Sequence, residues 1–309
     1  MIIIPPSFEI QDDLDNSSIA VRLESCGRVC YKSEDKISAD SAVPFVSKIA
    51  KHGHNSVLEM AVVSLRVICQ PPHVAGLLSC QPKYLIVDQT DTGMLVTGSI
   101  RAFRELYNGY SDNQLVSELV SVLAKKEPFL FETIFDPEKA LVGDPEISVT
   151  KLRLQEVDDL PDKLRLRHRF VSVKFVVNRA VTHELVRHRP CSFLQESQRY
   201  CRYSQDKFDN QVTFIDPMFY KKNTEEYKLW QESMGETEKI YLKLLETSTP
   251  QAARTVLPNS CKTEIIVYCN LTEWKHIFKL RTSQAAEPSM REIMIPLEKE
   301  MNKRFNLMC

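Results

Sequence analysis

The chain has 309 residues, 43% hydrophobic and 26% charged, an ordinary globular composition that buries about three quarters of its unfolded surface without staples. Its formal net charge of -1 supplies no bulk field to recruit a nucleic-acid polymer or an anionic lipid surface. Any grip on an anion must therefore come from a local cluster. The length accommodates one large domain or two smaller ones.

The start, Met1 to Pro6, is too short and lacks the basic flank of a signal peptide. No apolar run approaches the ~20 residues of a membrane span, so no membrane association is expected. The nine cysteines include no Cys-x-x-Cys pair and are odd in number, which predicts reduced thiols and a cytoplasmic setting.

Residues 41–52 predict a helix, with Val43, Val46, Ile49 and Ala50 on one stripe. It runs into Lys51-His52-Gly53-His54-Asn55-Ser56-Val57-Leu58-Glu59 and then a strand from Val62 to Cys69. Pro71-Pro72 opens a connection. Tyr84–Val87 and Met94–Val96 flank Asp91-Thr92-Gly93 as a hairpin. Helices are predicted over Ser99–Tyr107 and Gln114–Lys126, the second stopped by Pro128, and residues 135–146 read as loop. Arg167-His168-Arg169 reads as polar flanking of a strand over 170–177. Asn178 caps a helix from Arg179 to about Arg187. A long helix covers Glu225–Glu246, and a short one begins at Pro250 and ends before Pro258. Thr263–Tyr268 alternates like a strand. Asn270 and Glu273 resemble a capping box for a helix over 271–280, and a last helix starts near Pro288, with Pro296 as a possible kink. Helices and strands interleave throughout, which predicts a mixed α/β class with a central sheet flanked by helices.

The densest chemistry lies in Arg187-His188-Arg189-Pro190-Cys191-Ser192-Phe193-Leu194-Gln195-Glu196-Ser197-Gln198-Arg199-Tyr200. Three guanidiniums, hydroxyls and a carboxylate on one short loop suit a multiply hydrogen-bonded anion, above all a phosphorylated small molecule. The stretch has too few apolar residues for a core strand. No metal is expected: His52 and His54 lack a third ligand at fixed spacing. Ser192, Ser197, Cys191 and Cys201 lack a nucleophile elbow and an orienting acid. Gly-x-Gly-x-x-Gly and the P-loop are absent, so any flavin or nucleotide must be held by side chains. Arg187, Arg189, Arg199 and Arg202 interleave with Phe193, Tyr200 and Tyr203, but the cluster is short and fits a nucleotide better than a strand of nucleic acid.

The pattern Arg187-His188-Arg189, seven residues, Ser197 resembles the signature of flavin-dependent thymidylate synthases, and the resemblance continues through Arg199-Tyr200. Lys51-His52-Gly53-His54 to Glu59 is similar to that family's flavin-contacting turn. Ala253-Arg254-Thr255-Val256-Leu257-Pro258 matches its Ala-Arg-x-x-Leu-Pro segment. Asn270, His276 and Leu280-Arg281 follow at family-like spacing, so four ordered segments cover about half the chain.

The resemblance implies reductive methylation of dUMP to dTMP. Methylenetetrahydrofolate would donate the carbon and reduced FAD the hydride, with NADPH regenerating the flavin. It implies FAD contacts from His54, Ser56, Glu59, Arg187, His188, Arg189, Asn270 and His276. It implies dUMP contacts from Glu184, Arg187, Gln195, Glu196, Ser197, Gln198, Arg199, Arg254 and Arg281, with Arg281 as the catalytic, uracil-activating cation. It further implies a homotetramer with sites at subunit contacts. Leu194 and Gln195 stand where many members carry Asn and Glu, which puts the contacts of Gln195 and Glu196 in question. The chain is expected to form one catalytic domain over 1–309, with an insertion over about 70–165. An enzyme is expected first; a relative that binds nucleotide without turnover is the alternative.

Overall fold

The computed structural model describes residues 1–205 and 208–307. Its strands are β1 Ile2–Ile4, β2 Ser7–Ile10, β3 Val62–Ile68, β4 Leu85–Thr90, β5 Gly93–Ser99, β6 Ser148–Lys151, β7 Phe170–Asn178, β8 Ser192–Gln195, β9 Thr213–Ile215 and β10 Lys262–Asn270. They form two four-stranded antiparallel sheets, ordered β2-β7-β10-β8 and β4-β5-β3-β6, and a parallel pair, β1-β9. The class is α/β, as the interleaved periodicities predict.

The first sheet positions the candidate site. In β7, Val171, Val173, Phe175 and Val177 are buried at alternate positions, and β10 pairs with them in register Cys269↔Val171, Val267↔Val173 and Ile265↔Phe175. A one-residue slip would turn every one of these side chains to the opposite face. β10 is buried on both faces, as a central strand must be.

Two helices cover one face. Leu271–Arg281 applies Trp274, Ile277 and Phe278, and Pro288–Phe305 applies Met290, Ile293, Met294, Leu297 and Met301. Spacings of three, four and seven residues make one apolar stripe. The Trp274 indole N–H donates to the Val171 carbonyl at 3.0 Å, so the largest ring is buried without an orphaned donor. Leu194, Ile266 and Tyr268 face the other way, into a core shared with helices Ile19–Val29, Ala42–Lys51 and Gln114–Lys126 and with the second sheet.

Three of that second sheet's four strands, β4, β5 and β6, lie within residues 70–165. At its hairpin, Gly93 has φ +153° and a Cβ there would meet the Val67 carbonyl oxygen, so only glycine fits the turn.

Three sequence readings are corrected. Residues 192–195, read as loop, form the edge strand β8, paired Gln195↔Ile265 and Ser192↔Tyr268. An edge strand needs only one neighbour and one apolar face, so Phe193 and Leu194 suffice. His168 and Arg169, read as polar flanking, are buried. The His168 ring bonds Thr97 and Asp88 at 2.8 Å each, and Arg169 donates to Asp15 at 2.7 Å and Asp158 at 2.9 Å. Pro71-Pro72, read as a connection, starts the helix Pro71–Ser79, where proline suits the first turn.

No helix among the described residues is long and apolar enough to cross a membrane. The eight described cysteines are free thiols; Cys309 lies outside the described residues.

Candidate active site

The helix Arg179–Leu185 follows β7 because the Asn178 side chain accepts the Val181 N–H at 2.9 Å. It delivers Glu184, and the chain leaving it carries Arg187, His188 and Arg189. Opposite, Asn270 ends β10 and caps Leu271–Arg281 by accepting the Glu273 N–H at 2.8 Å. The Asn270 amide also donates to the Arg167 carbonyl at 2.9 Å. That helix delivers Glu273, His276 and Arg281.

These side chains meet. Arg281 donates from Nη1 to Glu184 Oε2 at 2.5 Å, from Nη2 to the Glu184 carbonyl at 3.0 Å and from Nε to His188 Nε2 at 2.9 Å. A guanidinium has five N–H donors; three are engaged, so two remain. Because His188 Nε2 accepts, the neutral ring carries its proton on Nδ1, the nitrogen 3.8 Å from Glu273 Oε1. Burial, then the Arg281 charge, then His276 push the His188 imidazole down to about 4. Burial raises the Glu273 carboxyl, opposed by His276, and its Oε1 is buried without a hydrogen bond. The His188 and His276 rings sit edge to face with centroids 6.0 Å apart.

His188, Glu273 and His276 place one ligand atom each within 4.8 Å of one another. That cluster is a poor metal cage. A metal on Nδ1 would require the proton at Nε2, where Arg281 already donates.

β8 and the turn after it place the second group. The Gln195 amide donates to the Thr182 and Thr263 hydroxyls at 3.1 and 3.2 Å, tying β8 to the Arg179–Leu185 helix. Glu196 is buried. It accepts the Tyr203 hydroxyl at 2.8 Å and the Lys262 ammonium at 2.9 Å. Lys262 also reaches Glu264 at 2.6 Å, and Lys32 and Lys174 reach the same carboxylate at 2.9 and 3.1 Å. The Ser197 N–H donates to the Cys30 carbonyl at 3.0 Å, and the Gln198 amide to Cys261 Sγ at 3.6 Å. Arg199 lies over the Tyr200 ring at 5.2 Å, and that ring meets Tyr31 at 5.3 Å.

A third group lies beside the second sheet. Gly53 at φ +73° turns the chain after the helix Ala42–Lys51. His54 and Ser56 are exposed there, and Glu59 accepts from Arg101 at 2.6 Å. Arg101 lies in the first turn of the helix Ile100–Tyr110, so that helix is ionically tied to the candidate flavin turn. Its neighbour Arg104 is buried against the Leu130 carbonyl and Thr133, a packing role.

Within one protomer, then, Glu184, His188, His276 and Arg281 converge; Gln195 through Arg199 form a second cluster joined to it through Thr182; and His54, Ser56 and Glu59 stand in a third. Arg187, Arg189 and Arg254 have no hydrogen bond or ion pair among the described residues. Arg187 and Arg189 are exposed, and Arg254 is half-buried in the turn Arg254–Val256. Sequence reasoning missed Glu273, whose place in a capping pattern disguised a carboxylate aimed at His188. It also missed Lys262, Glu264 and Lys32, whose strand and loop positions gave no sign that they share one network.

Residues 165–305 match the model of the thymidylate synthase complementing protein family. This part of the chain is similar to that family. The first cluster and, apart from Cys30, Tyr31 and Lys32, the second fall inside the matched segment; the third, at 54–59, lies outside it. The flavin-dependent thymidylate synthase of Pyrococcus furiosus is 40% identical over 131 residues, covering 42% of this chain and 53% of that protein. The protein of the same name from Geobacter sulfurreducens is 33% identical over 122 residues, 39% and 51% of the two chains. That from Mycolicibacterium gilvum is 29% identical over 169 residues, 49% and 65%. The alignments with the Pyrococcus and Geobacter proteins thus span about half the length of each.

Proposed function

We propose that the chain is a flavin-dependent thymidylate synthase that converts dUMP to dTMP. Methylenetetrahydrofolate is the carbon donor, FAD the flavin, and NADPH the reductant. The observation that carries this reading is the Glu184–Arg281–His188 constellation inside the family-matched segment, bordered by exposed Arg187 and Arg189. Those two guanidiniums have no hydrogen bond or ion pair among the described residues, and His188 offers a neutral N–H, so the donor set fits an anionic flavin. Bound FAD would supply the hydride.

The protein's own residues would do the rest. Glu184 fixes the Arg281 plane through two bonds and leaves two N–H donors for the uracil. Negative charge builds on the N3–O4 side of that ring during methylation, and a fixed cation there lowers the barrier by on the order of 3–4 kcal/mol. Arg254, Arg199 and Ser197 would take the phosphate, which favours guanidinium and hydroxyl donors. Gln195 and Glu196 are committed to internal partners, so they would shape the pocket wall and place Ser197 rather than grip substrate strongly. Asn270 acts first as a helix cap.

The separation of the 54–59 turn from Arg281 in one protomer supports a site completed by a second subunit, as a homotetramer would provide. One catalytic unit over 1–309, with 70–165 inserted, and a cytoplasmic setting complete the reading.

The test is direct. The purified full chain should be yellow. With FAD, NADPH and methylenetetrahydrofolate it should release tritium from dUMP labelled at C5. Colourless protein that stays inactive after FAD is added would overturn the proposal.

A further inference from the structure

A cavity of about 440 Å³ lies where the first sheet meets the second, and none of the residues assigned above to flavin or dUMP lines it. Its wall carries five cationic side chains, Arg22, Lys126, Lys151, Arg153 and Arg169, and one acid, Asp15. Internal partners account for part of this charge. Arg22 bonds Asp15 at 2.9 Å, Ser172 at 2.9 Å and the Met60 carbonyl at 2.6 Å. Arg169 shares Asp15 and takes Asp158. Arg153 pairs with Glu156 at 3.1 Å at the exposed rim. Lys126 and Lys151 have no hydrogen bond or ion pair among the described residues.

Lys151 is the telling residue. It ends β6 opposite Leu65, and its side chain is partly buried. Burial lowers its ammonium, Glu127 opposes that, and Lys126 lowers it further. Burial also raises the Glu127 carboxyl. The exposed Lys126 and the partly buried Lys151 thus share one nearby carboxylate, Glu127, which does not line the cavity, and neither ammonium has a hydrogen bond or ion pair among the described residues. Leu152, Val157, Phe170 and Tyr268 supply apolar surface in the same cavity. A simple inorganic ion would leave that surface wet; a molecule with an anionic head and an apolar body would cover both.

We propose that this cavity binds a small organic anion, its phosphate or carboxylate head between Lys126 and Lys151 and its apolar body against Leu152, Val157 and Phe170. Four of the six cavity residues used here for charge or apolar contact with the ligand come from the inserted region (Lys126, Lys151, Leu152 and Val157), so the site is one that region adds. The proposal does not depend on the reaction assigned above.

The probe is 1-anilinonaphthalene-8-sulfonate, an anion on an apolar ring system, titrated by fluorescence into the folded full chain. The expected result is saturable binding that weakens at least tenfold in the Lys126→Gln, Lys151→Gln double variant. Binding should stay within threefold in Lys151→Arg and be unchanged in Lys125→Gln and Arg187→Ala. Thermal melts should show the empty double variant still folded in one cooperative transition, so that lost binding is not lost structure. Phenyl phosphate or benzoate should displace the probe, and whichever does so assigns the head group. Affinity that changes less than twofold in the double variant, loss in Arg187→Ala, or displacement by neither anion would overturn the proposal.

Discussion

Glu264 gives the sharpest test of the network behind β8. Its carboxylate holds Lys262 at 2.6 Å, Lys32 at 2.9 Å and Lys174 at 3.1 Å, with 8% of its side chain exposed. Burial alone would raise this acid; Lys262 and then Lys32 outweigh it and hold it at about 2, below its ordinary 4.5. At about 1.4 kcal/mol per pH unit, that difference has a ceiling of roughly 3.4 kcal/mol. The lysines are 15–25% exposed, and screening leaves about 2 kcal/mol. The folded-state value is depressed, so the stabilisation is complete above pH 4.5 and is lost as pH falls toward 2. Glu264→Gln leaves three ammonium groups around a neutral amide and should cost about 2–3 kcal/mol at pH 7. Urea denaturation of both proteins should show that gap shrinking by more than half between pH 5 and pH 3. A gap below about 0.5 kcal/mol at pH 7, or one that ignores pH, would refute the claim that these lysines converge on one carboxylate.

Asn270→Ala removes both the cap on Glu273 and the bond to Arg167. It should cost about 1–2 kcal/mol by chemical denaturation and weaken flavin binding, because the same helix carries His276 and Arg281. His188, held down to about 4, should stay neutral from pH 5 to 8. Its unfolded ring takes a proton first, so its contribution to stability is lost as pH falls from about 6.5 to 4. An imidazole resonance of His188 titrating near 6.5 would contradict this. Arg281→Lys keeps the charge but cannot reproduce three directed bonds plus two free donors, and kcat should fall about 10²–10³-fold with dUMP still bound; near-normal turnover would remove Arg281 from the catalytic role.

Local signals made much of the fold legible. The stripe predicted over residues 41–52, the Asp91-Thr92-Gly93 turn, the Asn178 and Asn270 caps and the alternation in β7 each depend on neighbours a few residues away, and each element stands where its pattern places it, although in the first helix Ala42 rather than Val43 joins the buried stripe. β8 escaped notice because an edge strand of four residues needs no strong pattern of its own; its register comes from β10, some 70 residues later. Arg169 escaped because its counter-ions, Asp15 and Asp158, come from two separate elements. Buried charge leaves no local trace in a sequence; only the tertiary partner distinguishes it from a solvated flank.

The same limit bears on the candidate site. Motif spacing groups Arg187, His188 and Arg189 as one unit, yet the structure divides them by burial. His188 turns inward to Arg281, while Arg187 and Arg189 stay exposed. That division follows from the turn after the helix end rather than from chemistry: Leu185 and His188 are buried toward the helix Leu271–Arg281, and the residues on either side of His188 are exposed. One short tripeptide thereby supplies both an internal brace for the Arg281 cation and two exposed guanidiniums. A site built this way needs the cap at Asn270 as much as it needs the arginines, since the cap sets where Arg281 meets His188.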